Sequence, residues 1–400
     1  MIALAFLVGC GGSSEPAALA PLGATPDFAP VPMTRTAAFP APIALDAGAL
    51  RARETLHTLL VQRATDPMNP WAVKHAWIAL GADVKVSDGS DSVDAMFQRW
   101  AKPVRLADRD LVEFPAKGEG DDVRIEPHTD LLLKGLAESG VSPNRVVSIA
   151  GVAHPIGDLW RSSLARTWVD GDQLWTTSWN DTPWTLYGLA AWAPPNLTWT
   201  AEGAHPMTMN GFTHAVVVKL GAETKFLRDA EATGAPVEKR KQGIFAYTCG
   251  GAHLLQGAAF AVARGFGEPE DRVAIQGEVG ALYYRYDVEM KSVDDALAAY
   301  PQYEVVLLVQ RAKWLGHFLE TASELAAYGF YAPDDAQKAV LQRAVADLAD
   351  TVERTERAGI YDHLDTLQAK ERQTYLDVLG DGAHALHGLD LVSGAATVRY

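Results

Sequence analysis

The stretch that most constrains this chain runs from Tyr247 to Ala263, with the sequence YTCGGAHLLQGAAFAVA. Two adjacent glycines, Gly250 and Gly251, break the chain. His253 then opens a helix whose residues are small and apolar on every side. A helix apolar all round is buried in a large core or in a bilayer. This run stops at Arg264-Gly265, short of the roughly 20 apolar residues that a bilayer span needs. It predicts a central helix with other helices packed around it. Cys249 and His253 stand four positions apart, so both can face the same way if the helix starts early enough.

The same phrase returns near the C-terminus. Gly250–Gly257 (GGAHLLQG) is echoed by Asp381–Gly388 (DGAHALHG). His128, His214 and His317 also sit at or near the start of apolar runs. A second pair of segments, Asn69-Pro70-Trp71 and Thr182-Pro183-Trp184, places a capping residue before a proline at the first helical position. The intervals are unequal, which excludes a strict solenoid repeat and suits stacked helical hairpins with insertions.

The rest of the chain reads as mostly helix. Amphipathic or apolar segments are expected at 49–62, 70–80, 92–100, 129–139, 155–169, 212–232, 268–290, 301–328, 334–358 and 362–379. Residues 103–127 alternate charged and apolar positions and predict a loop with a small hairpin. In 334–358 the set Val340, Leu341, Val345, Leu348 and Val352 keeps helical spacing over a charged opposite face, which marks an outer helix. Apolar residues make up 48% of the chain and charged residues 21%, enough for a sizeable core. The net charge of −15 argues against nucleic acid, whose phosphates require basic patches.

At the N-terminus, an apolar run from Ile2 ends in Leu7-Val8-Gly9-Cys10, followed by Gly11-Gly12-Ser13-Ser14. This resembles a bacterial lipobox. The resemblance implies a signal peptide over 1–9, cleavage before Cys10 and a lipid on its sulfur, hence membrane attachment through that anchor. Gly11, rather than Asp, after the lipidated cysteine resembles Gram-negative lipoproteins held at the outer membrane, on its periplasmic or surface face. Residues 10–46 carry prolines at 16, 21, 26, 30, 32, 40 and 42 among alanines, the composition of an extended linker. Residues 47–400 are then a single helical domain.

Two classes of helix follow from the pattern. One is long, amphipathic and charged on one side. The other is short, rich in Gly and Ala, and apolar all round. Alternation of the two builds an inner and an outer layer, so the expected fold is all-α. At the level of pattern the chain is similar to the α/α toroid of terpenoid-cyclase-like, lanthionine-cyclase-like and glycan-processing proteins. An irregular multi-helix bundle is the alternative.

The chemistry concentrates in a few residues. With Cys10 lipidated, Cys249 is the second of two cysteines and has no intramolecular partner. It is either a buried small residue or a ligand or nucleophile. Cys249 with His253, and His384 with His387 at i and i+3, form two chelating pairs. Together they offer thiolate and imidazole to a tetrahedral zinc. Lanthionine cyclases, which hold zinc in a toroid, use two cysteines and a histidine, and the second cysteine is missing here. His128, His214, His253 and His384 either cap helices or, if the inner helices start at one end, converge on one mouth as acid–base catalysts. Asp130 and Asp381 are carboxylates placed to orient them. Trp175, Trp179 and Trp184, with Asn180, are either core or a stacking surface for a glycan or peptide ligand. P-loop, Rossmann, His-Glu-x-x-His, Gly-x-Ser-x-Gly and Cys-x-x-Cys-His motifs are all absent. The expected function is a lipid-anchored protein whose histidine-lined pocket binds or processes an envelope or extracellular ligand. A non-catalytic scaffold and a zinc hydrolase built on Cys249 and His253 are the alternatives.

Overall fold

The computed structural model describes residues 29–106, 109–118, 123–176 and 178–400. The lipobox, Cys10 and the 1–9 segment lie outside them. Among the described residues there are thirteen α-helices: α1 (Ala47–Arg63), α2 (Pro70–Leu80), α3 (Ser92–Trp100), α4 (Leu131–Glu138), α5 (Gly157–Arg166), α6 (Thr182–Trp192), α7 (Met209–Thr233), α8 (Ala252–Ala263), α9 (Asp271–Ala299), α10 (Glu304–Ala327), α11 (Asp335–Arg357), α12 (Leu364–Lys370) and α13 (Arg372–Ser393). Among the described residues, strands occur only as antiparallel pairs. β1 (Thr36–Ala37) pairs with β10 (Val398–Arg399). The others are β2 (Lys102–Leu106) with β3 (Arg109–Glu113), β4 (Val146–Ile149) with β5 (Val152–Pro155), β6 (Val169–Asp170) with β7 (Gln173–Leu174), and β8 (Thr198–Ala201) with β9 (His205–Thr208). The chain is all-α. No helix among the described residues is long and apolar enough to cross a membrane.

Local chemistry sets the helix starts. Asp46 and Asn69 accept hydrogen bonds from Ala49 N and Ala72 N at the heads of α1 and α2. Asp334 and Gln337 form a reciprocal capping box on α11. Pro70 begins α2, while Pro183 falls one residue inside α6.

Six helices form the core in a cyclic order of contacts. α2 packs on α4, α4 on α6, α6 on α8, α8 on α10, α10 on α13, and α13 returns to α2. The helices α1, α5, α7, α9 and α11 lie against members of this cycle. All of α6 is buried, as is α8 from Ala252 to Val262. The apolar-all-round sequence of α8 is thus explained by neighbours on every side. Glycines let the cycle close tightly. A Cβ on Gly316 of α10 would lie 2.7 Å from the backbone nitrogen of Ala385 in α13, and one on Gly388 would lie 2.9 Å from the Gly316 carbonyl oxygen.

Two elements differ from the sequence expectation. The segment at 362–379 is two helices, broken at Glu371, and α13 continues to Ser393. His384 therefore lies inside a helix rather than opening one. The small hairpin expected within 103–127 is present as β2 with β3. The proline-rich linker is packed against the domain over its last part. Val31 N donates to Trp192 O, β1 pairs with β10, and Phe39 and Ile43 are buried. Its prolines exclude helix but not docking of the apolar residues between them.

The α10–α13 contact generates a stability test. Gly316→Ala should cost about 1–3 kcal/mol by overpacking. Gly277→Ala on α9, where an added Cβ meets nothing within 4 Å, should instead stabilise by about 0.5–1 kcal/mol. Urea denaturation of both variants beside wild type measures the contrast.

Candidate functional site

The cyclic helices send their polar residues to the centre. The middle of α10 carries Lys313, His317 and Glu320, and α13 carries Asp381, His384 and His387. Gln256 and His253 come from α8, and Lys74 and His75 from α2. All of these except Lys313 and His387 are buried to at least nine-tenths. Glu320, fully buried, is the hub. His384 Nδ1 donates to Oε2 and His387 Nδ1 donates to Oε1, each at 2.8 Å. Gln256 Nε2 donates to Oε2 at 2.8 Å and to Thr321 Oγ1 at 3.1 Å. His317 Nδ1 stands 3.5 Å from Oε2. Burial works against the Glu320 charge, but these donors hold the carboxyl well below its usual range.

The hub also fixes tautomers. Because Glu320 only accepts, the Gln256 amide must turn its nitrogen toward it. Its oxygen then faces His253 Nδ1 at 2.9 Å, which must donate. His75 Nδ1 likewise donates to Trp71 O at 2.6 Å. Burial pushes His253 and His75 well below the usual imidazole range, and His384 down to about 3. In His253, His75 and His384 the neutral ring thus holds its proton on Nδ1 and its lone pair on Nε2. Imidazole ligands of metals are characteristically held this way, one nitrogen anchored to a carboxylate, amide or backbone carbonyl.

The rings are close together. His317 and His384 have centroids 4.0 Å apart, His253 and His317 4.8 Å, and His253 and His384 5.3 Å. Neither nitrogen of His317 makes a hydrogen bond, although the ring is buried. Donor atoms of Cys249, His253 and His317 all lie within 4.8 Å of one another, as do those of His317, Glu320 and His384. The two triads share His317. Burial alone would lower His317, but the Cys249 sulfur and the Glu320 carboxylate outweigh it and push the ring up to about 10.

Cys249 is delivered by a strained turn. Cys249, Gly250 and Gly251 are all left-handed, with φ of 50°, 58° and 76°. For cysteine this conformation costs on the order of 1–3 kcal/mol. At Gly251 a Cβ would fall 2.2 Å from the Ile244 side chain, so only glycine fits. Asn180 clamps the turn from outside: its Nδ2 donates to Thr248 Oγ1 and its Oδ1 accepts from Thr248 N, both at 2.8 Å. Cys249 is half-exposed, so solvent reaches the cluster on its side.

The residues singled out in the sequence divide accordingly. Cys249, His253 and His384 come together. His387 reaches the same carboxylate from its other oxygen. His128 is one ring removed: it stacks on Trp184 at 4.1 Å, and Trp184 meets His253 at 4.9 Å. Asp381 lies at the edge, 3.4 Å from Lys313 Nζ, and burial pushes it up to about 7. His214 is elsewhere, on α7, paired with Asp271 at 2.9 Å and partly exposed. Asp130 is occupied as a structural acceptor for Ser163 and Thr185. Of Trp175, Trp179 and Trp184, only Trp184 is buried; Trp175 and Trp179, like Asn180, stay partly exposed. Trp184 is 2% exposed, Trp175 meets Phe212 edge-on, and Trp179 lies under Lys219. The sequence reasoning missed His75 and Lys74, and passed over Glu320 and Glu324. The available signal was an i, i+3, i+7 set, His317, Glu320 and Glu324, on an otherwise apolar face of α10.

Comparison with protein-family models, with curated proteins and with solved structures gives no match for this chain.

The Asp130 position yields a pH test. Burial raises its carboxyl above the ordinary aspartate range, against the two hydroxyl donors. A carboxyl raised by folding binds protons more tightly in the folded state, so it weakens folding at pH above its folded pKa. That penalty fades as pH falls through the folded pKa toward the unfolded one. Asn also tolerates the left-handed φ of 63° at this position. Asp130→Asn should therefore equal or exceed wild-type stability at pH 7 and lose that advantage on acidification, as read from denaturation midpoints between pH 7 and 4.

Proposed function

We propose that this protein binds a transition metal at the Cys249, His253, His317 and His384 cluster and uses it in hydrolysis of an extracytoplasmic ligand, a glycan or peptide. The observation that carries this is His317. It is a buried ring without a hydrogen bond on either nitrogen, shared by two triads of donors, and the sulfur and carboxylate that favour a proton on it would equally favour a metal cation in the proton's place. Mixed sulfur and nitrogen donors match zinc best. Such an ion supplies a Lewis acid and an activated water at neutral pH. The chain's own residues do the rest. Glu320, Gln256 and Trp71 O orient the histidines, and the Asn180 clamp holds Cys249 at the solvent side. We read the cyclic helix contacts as a toroid-like inner layer with these residues at its axis, and the lipobox as a lipid anchor on Cys10 that holds the domain at the outer membrane.

Histidine acid–base chemistry without an ion is the second reading. The anchored, neutral rings of His253 and His384 beside a half-exposed edge favour it.

Metal analysis of the full chain in detergent, purified without a His tag, tests the first reading. Zinc near one equivalent is expected, falling at least tenfold in His317→Gln and Cys249→Ser and unchanged in His214→Ala. A folded wild type that takes up no zinc when offered it would overturn the metal reading. Retention of zinc by both variants would place the ion elsewhere.

A further inference from the structure

The other end of the same helices holds a second set of groups. Glu138, Glu320 and Glu324 bring carboxylate oxygens within 4.8 Å of one another. They lie beside a cavity of about 210 Å³ lined by Trp77, Glu138, Tyr187, Glu324, Tyr328 and His387, among others. That volume holds several waters, where a single one needs about 10–15 Å³.

Three carboxylates so close in a buried site require compensating charge. Two of them have it. Lys134 Nζ stands 2.6 Å from Glu138 Oε2, and Glu320 is held by the histidines. Glu324 has no hydrogen-bonded one among the described residues: it is 3% exposed, its Oε2 has no hydrogen-bond partner, and Lys134, already bonded to Glu138, acts on it only through space. The Tyr328 hydroxyl beside it is also unpartnered.

The backbone points the same way. The cavity is bordered by the C-terminal ends of α2 (Ile78 to Gly81), α4 (Glu138 and Ser139) and α10 (Tyr328). Helix C-termini carry partial negative charge and favour cations. Resident cations account for only part of it. Lys134 is taken by Glu138, Lys74 feels Glu138 and Glu320 but is pushed down to about 7 by burial and so is only partly charged at neutral pH, and Arg399 lies at the rim over Gly140.

We propose that Glu138, Glu320 and Glu324 bind a divalent cation, so that Glu320 bridges it to the ion of the histidine cluster. An all-carboxylate donor set with room for water selects a hard cation such as manganese or magnesium, in contrast to the sulfur and nitrogen donors at the other end. The bridging role rests on the metal reading of the histidine cluster. The carboxylate site itself does not.

The test uses the full chain in detergent, titrated with Mn²⁺ and with Zn²⁺, with bound ions counted by mass spectrometry and Mn²⁺ read by electron paramagnetic resonance. The variants are Glu324→Gln and His317→Gln, each checked for folding by circular dichroism. Wild type should bind two ions. Glu324→Gln should weaken Mn²⁺ binding at least tenfold and keep zinc. His317→Gln should lose zinc and keep Mn²⁺. One zinc and no Mn²⁺ in wild type, or Mn²⁺ binding unchanged in Glu324→Gln, would overturn the carboxylate site and leave the histidine site standing. Mn²⁺ lost only in Glu324→Gln, with no zinc bound by any form, would overturn the histidine site and the bridge while sustaining the carboxylate site. Should Glu324→Gln fail to fold, Glu138→Gln replaces it with the same expectation.

Discussion

Burying the Glu320 carboxylate is the requirement that the rest of the centre answers. A lone charge in such a core costs several kcal/mol even after relaxation. Here the cost is offset by donors from two helices: Gln256 on α8, and His384 and His387 on α13. Each donor is itself constrained by that bond. The Gln256 amide has one permitted orientation, which dictates the His253 tautomer. Removing the carboxylate would free three imidazoles at once, so Glu320 organises the site more than any single histidine does.

That arrangement demands close helices. Glu320 meets His384 and His387 because α10 and α13 approach until backbone touches backbone at Gly316 and Gly388. Gly257 does the same for α8 against Pro183 of α6, where a Cβ would lie 2.7 Å from the carbonyl oxygen. The small residues that made α8 and α13 look alike in sequence therefore serve the polar centre as well as the apolar core. A bulkier pair of helices would hold their side chains too far apart for hydrogen bonds of 2.8 Å.

Much of the fold was legible because helix signals are local. The Asn69-Pro70 and Asp334/Gln337 caps and the apolar run of α8 each announce themselves within a few residues. The site was only half legible. Cys249 and His253 could be paired by spacing along the chain. Glu320 and Glu324 could not be given a role, because a glutamate in an amphipathic helix normally faces solvent, and only the partners on α8, α13 and α4 show otherwise. Trp184 misled for the opposite reason. Trp184 beside a turn residue suggests exposure, yet α6 is surrounded on all sides. Asp130 and His214 sit at helix starts like the others, but what they face is decided by α5, α6 and α9, which sequence spacing does not encode.

The polar centre draws on α2, α4, α8, α10 and α13, elements spread across most of the chain. Trp71 already reaches the Leu376 carbonyl across 305 positions, and α2 and α13 are neighbours in the cycle. Contacts of such sequence separation form late and slowly, since long loops must close before they repay the entropy. Until α13 docks, Glu320 keeps its water and the histidines keep their freedom. The cluster's hydrogen bonds thus require the whole domain to be assembled and cannot be completed by any part of it alone.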